Sequence, residues 1–568
     1  MSAHESPIDA PPARPRPWQL FTAFNTPGPR WPSALRAGLS MALPSTIALA
    51  LGLHVELLLI AAGSFTVIYG EGYAYRARWK VLLIAGAFFA SGAMAGAFVG
   101  TVVWGQIYAG GSSWWLMITV AFTTTIAGVG VYIANALRLP PPGPWFILLV
   151  AGASTMTYRL GLNPVEVAAW SLLGVASSVV VGMTPALFFP RGPEEQALKV
   201  LEHTVANLEQ SPPGSPVPFA LIHQAQAALN HTWFTLVDAG VIHAGRIKDL
   251  RRRGLVDRTL HAQAILARAH SGEYSPANDL TDTVSYIDPS RLRIPHARPS
   301  ISYRLYRSVH SYSHASMTAI RVVIACLGAG LASILLGLDR PDWAIISALL
   351  ILMWGPERIP GTIRGLHRLL GSILGIGLYM VFYALELDGW ALMLAISACL
   401  FFSEIFVGRN YAFAVIFTTP IALMLGGAME LSAAQTAIDR TIEILLSVVF
   451  ALGALWLYKP NAEPFHHSRL QHRCRRAMGA LLGTLLTYIP DQALELRRDL
   501  QYELLSERRA AQSLAANSPQ LAQQRWSDHL SLQRVGYAIL DHCEAHPDQQ
   551  PSLTEITTLA KGIQSTES

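Results

Sequence analysis

The chain has 568 residues, of which 52% are hydrophobic and only 14% charged, against about 25% charged in a soluble domain. With a mean hydropathy of +0.34, that balance excludes an ordinary soluble enzyme and points to the bilayer. The net charge of +5 is unremarkable, because many basic residues flank apolar runs, where orientation signals belong; no nucleic-acid partner is expected.

Residues 1–32 are rich in proline (Pro11, Pro12, Pro15, Pro17) and carry Arg14 and Arg16. They lack the apolar run and small-residue cleavage site of a signal peptide, which predicts a disordered cytoplasmic tail. Residues 33–190 hold six apolar runs near the ~20 residues that span a hydrocarbon core. These are Ala34–Leu53, Val55–Gly70, Val81–Val103, Trp114–Ile133, Pro144–Tyr158 and Val165–Phe189, the second and fifth being short. Residues 191–314 are polar and predict a helical cytoplasmic domain, with helices over Glu194–Gln210, Phe219–Ala244 and Arg246–His270 and a Pro-rich loop over 272–300. Residues 315–459 hold six further spans: Met317–Leu338, Trp343–Gly355, Leu366–Leu385, Trp390–Val407, Tyr411–Gly427 and Thr441–Tyr458. Residues 460–568 predict a second helical cytoplasmic domain, with helices near Ala477–Tyr488, Asp491–Ala516 and Gln520–His546. The expected fold is an all-α polytopic membrane protein: two parallel-repeated six-helix transmembrane bundles plus two helical cytoplasmic regions.

Loop charge sets the orientation. Arg76, Arg78 and Lys80 follow the second span, Arg138 the fourth and Arg191 the sixth; Arg358, Arg364, His367 and Arg368, then Arg409 and Lys459, occupy the matching loops of the second block. The alternate loops carry Glu386, Asp388 and Glu430, with Arg159 and Arg340 as exceptions. The positive-inside rule then places both termini and the 191–314 segment in the cytoplasm of a cell's inner membrane. Both blocks start on the same side. Ala34-Leu35-Arg36 and Gly52-Leu53 recur as Ala319-Ile320-Arg321 and Gly337-Leu338 at one offset of 285, which reads as a parallel rather than an inverted repeat.

Sparse charge within apolar runs marks candidate sites. Arg36 and Arg321 sit about a turn inside the first span of each block. Facing a common cavity they would compensate an organic anion; otherwise they snorkel to headgroups. Arg364, His367 and Arg368 form a basic turn that captures a carboxylate or merely orients the chain. Asp439, Arg440 and Glu443 share a helix face at the outer end of the last span and suit gating or proton coupling, against a local ion pair. Glu404 and Arg409 invite the same proposal more weakly. The Gly-xxx-Gly spacings (Gly92, Gly96, Gly100; Gly371, Gly375) read as close helix packing, and Trp343 as an interfacial anchor.

Cys326, Cys399, Cys474 and Cys543 lack disulfide or zinc spacing, and His466, His467 and His472 read as part of a solvated basic helix. No catalytic pair, metal set, cofactor motif or phosphate-cradling loop is visible.

The stretch Pro341-Asp342-Trp343-Ala344, Trp354-Gly355-Pro356-Glu357-Arg358, Arg364, Arg368 and Gly371-xxx-Gly375, with Asp439-Arg440-Thr441 and Lys459-Pro460, resembles the fusaric acid resistance-like (FUSC) family. The resemblance implies an integral membrane transporter, with efflux of aromatic carboxylate-like anions in relatives and a periplasmic adaptor protein for some. Plant malate channels look like distant relatives. The first block departs from the pattern, with Trp170 where the second has Arg440. The leading expectation is an exporter of small organic anions, with proton coupling open. A passive anion channel, and a membrane scaffold or sensor acting through its cytoplasmic helices, remain alternatives. Membrane lipid, the anion, an adaptor and further copies of the chain are the partners such a protein would meet.

Overall fold

A computed structural model describes residues 10–14, 16–25, 30–53, 56–210, 219–243, 246–271, 299–425, 432–564 and 566. The chain is an all-α polytopic membrane protein. After a short helix α1 (Pro17–Thr22), the first unit runs α2 (Trp31–Ala50), α3 (Glu56–Ser64), α4 (Thr66–Tyr69), α5 (Tyr75–Tyr108), α6 (Leu116–Ala136), α7 (Trp145–Ser154), α8 (Pro164–Met183) and α9 (Pro185–Phe188). Extramembrane helices α10 (Gly192–Glu209), α11 (Phe219–Asp238) and α12 (Arg253–Ser271) follow, then α13 (Ile301–Ser308). The second unit is α14 (His314–Leu335), α15 (Pro341–Leu352), α16 (Arg358–Ala384), α17 (Gly389–Phe406), α18 (Tyr411–Leu425) and α19 (Ala433–Leu457). The chain closes with α20 (Ala462–Leu485), α21 (Leu494–Asn517), α22 (Pro519–Ala545) and α23 (Leu553–Gln564).

Among the described residues seven stretches, built on α5, α6, α8, α14, α16, α17 and α19, are long and apolar enough to cross a membrane by length and composition. Four of the expected spans are instead short apolar helices, Leu59–Tyr69, Trp145–Ser154, Pro341–Leu352 and Tyr411–Met424. The 12 residues of α15 reach about 18 Å, short of a hydrocarbon core of about 30 Å. Every one of them is buried. α15 therefore fills the interior of the bundle, and apolar composition alone does not separate such a helix from a lipid-facing one.

Helix pairing is the same in both units. The first helix packs on the second and sixth, and the third on the fifth and sixth: α2 with α3 and α8, α5 with α7 and α8; α14 with α15 and α19, α16 with α18 and α19. The fourth helix crosses over, α6 lying along α14 and α17 along α2. The expected glycine spacings sit at these contacts. A Cβ on Gly96 or Gly100 would lie 2.1 Å from Ala151 O or Thr155 O, and one on Gly371 2.5 Å from Ala412 O. No side chain fits there, so α5 and α16 meet α7 and α18 backbone to backbone.

Outside the membrane units, α10–α12 share an apolar core with α21 and α22 through Trp233, Leu514 and Trp526. A second core joins α20–α23, so the two extramembrane segments form one body. The helix expected over Phe219–Ala244 stops at Asp238. Gly240 takes φ +74°, and the chain turns into an antiparallel hairpin of β1 (Ile242–His243) and β2 (Arg246–Ile247).

Part of the tail expected to be disordered is ordered. His367 Nε2 lies 2.9 Å from Phe21 O, Asn410 Nδ2 donates to Ala23 O at 3.0 Å, and Asn25 N donates to Arg409 O at 3.0 Å. The Phe21 ring lies 4.9 Å from the His367 ring. Aromatic anchors outweigh the proline and arginine content that reads as disorder. Residues 1–9 and 26–29 lie outside the described residues.

Candidate functional site

The centre of the second unit is α15. Pro341 starts it, where a missing N–H costs nothing, and Asp342 lies in its first turn. Gly152 of α7 leaves room for it, since a Cβ there would sit 3.3 Å from the Asp342 carboxylate. Arg340 Nε and Nη2 donate to Asp342 Oδ1 and Oδ2 at 3.0 and 2.9 Å. Arg340 and Arg440 place their guanidinium carbons 4.5 and 5.0 Å from the Trp343 ring centroid. Arg440 and Glu443 are 1% and 0% exposed and 3.9 Å apart. That is a loose pair: neither Glu443 oxygen, nor Arg440 Nε or Nη1, finds a hydrogen-bond partner among the described residues. Unpaired buried charge of this kind is costly and marks function more often than stability.

The polar row continues along the same helix. Arg368 Nη2 donates to Ser347 Oγ at 3.2 Å, and Arg364 Nε donates to Ile351 O at 3.1 Å. Arg368 Nε and Arg364 Nη2 are buried without a partner. Trp343, Ser347 and Ile351 recur every four residues and so share one face of α15. The row thus carries three guanidiniums, those of Arg440, Arg368 and Arg364, over about 12 Å of helix.

At the domain-side end of α15 lies a cavity of about 520 Å³, bounded by Met353, Glu357, Arg138, Arg307, Arg473 and Arg509 among others. A neighbouring cavity of about 490 Å³ shares Arg138, Tyr502 and Arg509 and adds Arg304, Arg498 and Arg508. Arginines outnumber acids in both walls, which raises the local concentration of anions. Arg138 donates to Ser506 Oγ, and its guanidinium carbon lies 4.2 Å over the Tyr502 ring. Burial pulls the Arg138 pKa down to about 10, so it remains a cation at neutral pH.

The residues picked from sequence are not brought together as one set. Arg36 is bound bidentately to Glu71, at 2.9 and 2.7 Å. Arg321 is a buried clamp, donating to Pro356 O at 3.2 Å and Tyr458 O at 3.1 Å. Neither lines the two cavities. Arg364 and Arg368 do meet Arg440 and Glu443 through α15. Asp439 stands apart, accepting from Gln435 Nε2 at 2.7 Å at an exposed position. Glu404 is buried and 3.4 Å from Arg30. Sequence reasoning missed Arg340 as a site residue and missed Arg138 and Arg509 as cavity residues. The signal for Arg340 was its exception to the charge rule. Arg159, the other exception, is likewise neutralised, 3.4 Å from Asp339.

Residues 312–454 match the family described as fusaric acid resistance protein-like, so the resemblance read from the sequence is met over α14–α18 and most of α19. Over 91% of its length the chain is 23% identical to 86% of an uncharacterized membrane protein, YvaC, of Bacillus subtilis (strain 168). No solved structure matches.

Proposed function

We propose that this chain is an inner-membrane transporter that exports small organic anions, aromatic carboxylates above all, through its second unit. The observation carrying this reading is the row of buried guanidiniums along α15, rising from an arginine-walled cavity. An anion in hydrocarbon needs compensating positive charge at every depth, and the row supplies it in steps. Trp343, between two guanidiniums, offers an aromatic face to an aromatic acid. All of α15 is buried, so the row is occluded here and export requires α15 or its neighbours to move. Glu443, with both oxygens unpartnered beside Arg440, is the group proposed to alternate between ion pair and neutral acid and so couple export to a proton gradient.

In this reading the basic cavities open to the cytoplasm, together with both termini and the 191–314 segment. Membrane lipid, a periplasmic adaptor protein and further copies of the chain complete its partners. The test is movement of labelled aromatic carboxylates in proteoliposomes, with and without an imposed proton gradient. Gradient-dependent movement that Arg368→Gln weakens supports the exporter. Gradient-independent current replaces it with a passive anion channel. No movement of any acid, with a partner protein captured by the extramembrane helices, replaces it with a scaffold.

A further inference from the structure

His467 was expected on a solvated basic helix. Its side chain is instead 1% exposed, facing Glu507 and His529 at 0%. Each comes from a different helix, α20, α21 and α22. His467 Nε2 lies 2.8 Å from Glu507 Oε1, and His529 Nδ1 lies 3.0 and 2.8 Å from Glu507 Oε1 and Oε2. Gln533, one turn beyond His529, donates Nε2 to Glu507 Oε2 at 2.7 Å and fixes the carboxylate. The three donor atoms lie within 4.8 Å of one another.

We propose that His467, Glu507 and His529 form a binding site for a first-row divalent cation, zinc in the first instance, that ties α20, α21 and α22 together. Two imidazoles and one carboxylate are a donor set suited to such ions. Zinc holds N and O ligands at about 2.0–2.2 Å in a tetrahedron, which puts ligand atoms about 3.3 Å apart. The present contacts of 2.8–3.0 Å are therefore those of a closed site that opens by about half an ångström to admit the ion. His467 Nδ1 and His529 Nε2 have no partner. They are the nitrogens that carry the ring protons once Nε2 of His467 and Nδ1 of His529 turn their lone pairs to the metal. Gln533 Oε1, also without a partner, or a water completes the fourth position.

Charge supports the same reading. The Glu507 carboxylate is 0% exposed, and its hydrogen-bonding neighbours are two imidazoles and one amide. A wholly buried carboxylate is stable as the anion only beside a positive partner. A divalent ion provides one. The Trp526 ring, 4.6 Å from that of His529, covers the site. Glu507 stands two residues from Arg509, which lines both cavities, so an ion here stiffens the helix that forms the cavity wall.

The test uses the full chain in detergent, carrying no polyhistidine tag, stripped by a chelator and titrated with zinc chloride and with cobalt chloride. The expected result is one zinc per chain after desalting, a higher melting temperature with zinc, and the visible bands of tetrahedral cobalt. Glu507→Gln and His529→Gln lose the bound metal and the thermal response. The cobalt spectrum of the unaltered protein decides the matter even where a variant folds poorly. Substoichiometric zinc with no cobalt bands overturns the proposal, as does Glu507→Gln binding zinc as the parent does.

Discussion

Alanine at Gly375 and at Gly377 applies one chemical change at two neighbouring sites on α16. At Gly375 the added Cβ would lie 2.6 Å from Thr419 Cβ and 2.8 Å from Ile416 O on α18, whereas at Gly377 it would meet nothing within 4 Å. Carbon atoms rest about 3.5–4.0 Å apart, so α16 and α18 must separate by about 1 Å to accept Gly375→Ala. Both substitutions gain the same helix propensity, up to about 1 kcal/mol, and that gain cancels in the comparison. What remains is overpacking, about 1–3 kcal/mol. Gly375→Ala should therefore melt below Gly377→Ala, by about 2–4 °C for each kcal/mol in a cooperative unit of this size. Thermal unfolding of the purified full chain, followed by tryptophan fluorescence, reads the difference. Equal melting temperatures, or a more stable Gly375→Ala, would refute the backbone contact between α16 and α18 and the packing role of the Gly-xxx-Gly spacing.

Arg368→Gln removes a charged donor worth about 1.5–3 kcal/mol. Half-saturation for anion flux in proteoliposomes should rise about 10- to 100-fold, and unchanged flux would remove Arg368 from the path. Glu443→Gln should leave anion exchange intact while flux ceases to respond to a proton gradient; a preserved response puts the coupling elsewhere. Arg321→Ala strands the carbonyls of Pro356 and Tyr458, which its guanidinium now caps. It should lower the melting temperature more than Arg36→Ala, whose partner Glu71 is part-exposed and can turn to water. Comparable losses in the two variants would contradict the buried-clamp role.

Much of this architecture is legible in the sequence because lipid imposes long apolar runs with charge at their ends. The span Val81–Val103 falls within α5, and Met317–Leu338 overlaps α14 as far as Leu335. What was not legible is which apolar runs face lipid. The residues of α15 read as a span, yet they form a wholly buried helix, because hydrophobic burial in protein and in hydrocarbon selects the same side chains. The site shows the same division. Arg440 and Glu443, three apart on one helix, were readable as a pair from spacing alone. The placing of Arg440 over Trp343, the link from Arg368 to Ser347, and the joining of His467 to Glu507 and His529 all depend on where separate helices cross. No periodicity records that.

The two units differ in what they bury, and that difference decides where a solute could pass. Among the described residues of α2–α8, Arg78 is the only charged side chain that is buried, and it donates to Gly182 O at 3.1 Å. The second unit buries Arg321, Arg340, Asp342, Arg368, Glu404, Arg440 and Glu443. Where α15 faces guanidiniums, α3 faces hydroxyls of α2 and α8 and a glycine of α8. Ser40 and Ser178 both donate to Ser64 O, at 3.2 and 2.8 Å. A Cβ on Gly63 or Gly174 would fall 2.0 Å from a backbone oxygen of the facing helix. A contact that cannot admit a methyl group cannot admit an aromatic acid without pulling α3 and α8 apart, and it offers no cation in return. Under the proposed export the second unit would also be parted, but each step of that opening would uncover a guanidinium for the entering anion to neutralise. Substrate binding can therefore offset the cost of opening only in the second unit. In the proposed mechanism the first unit would be the wall, with α6 packed against α14, on which the second unit moves.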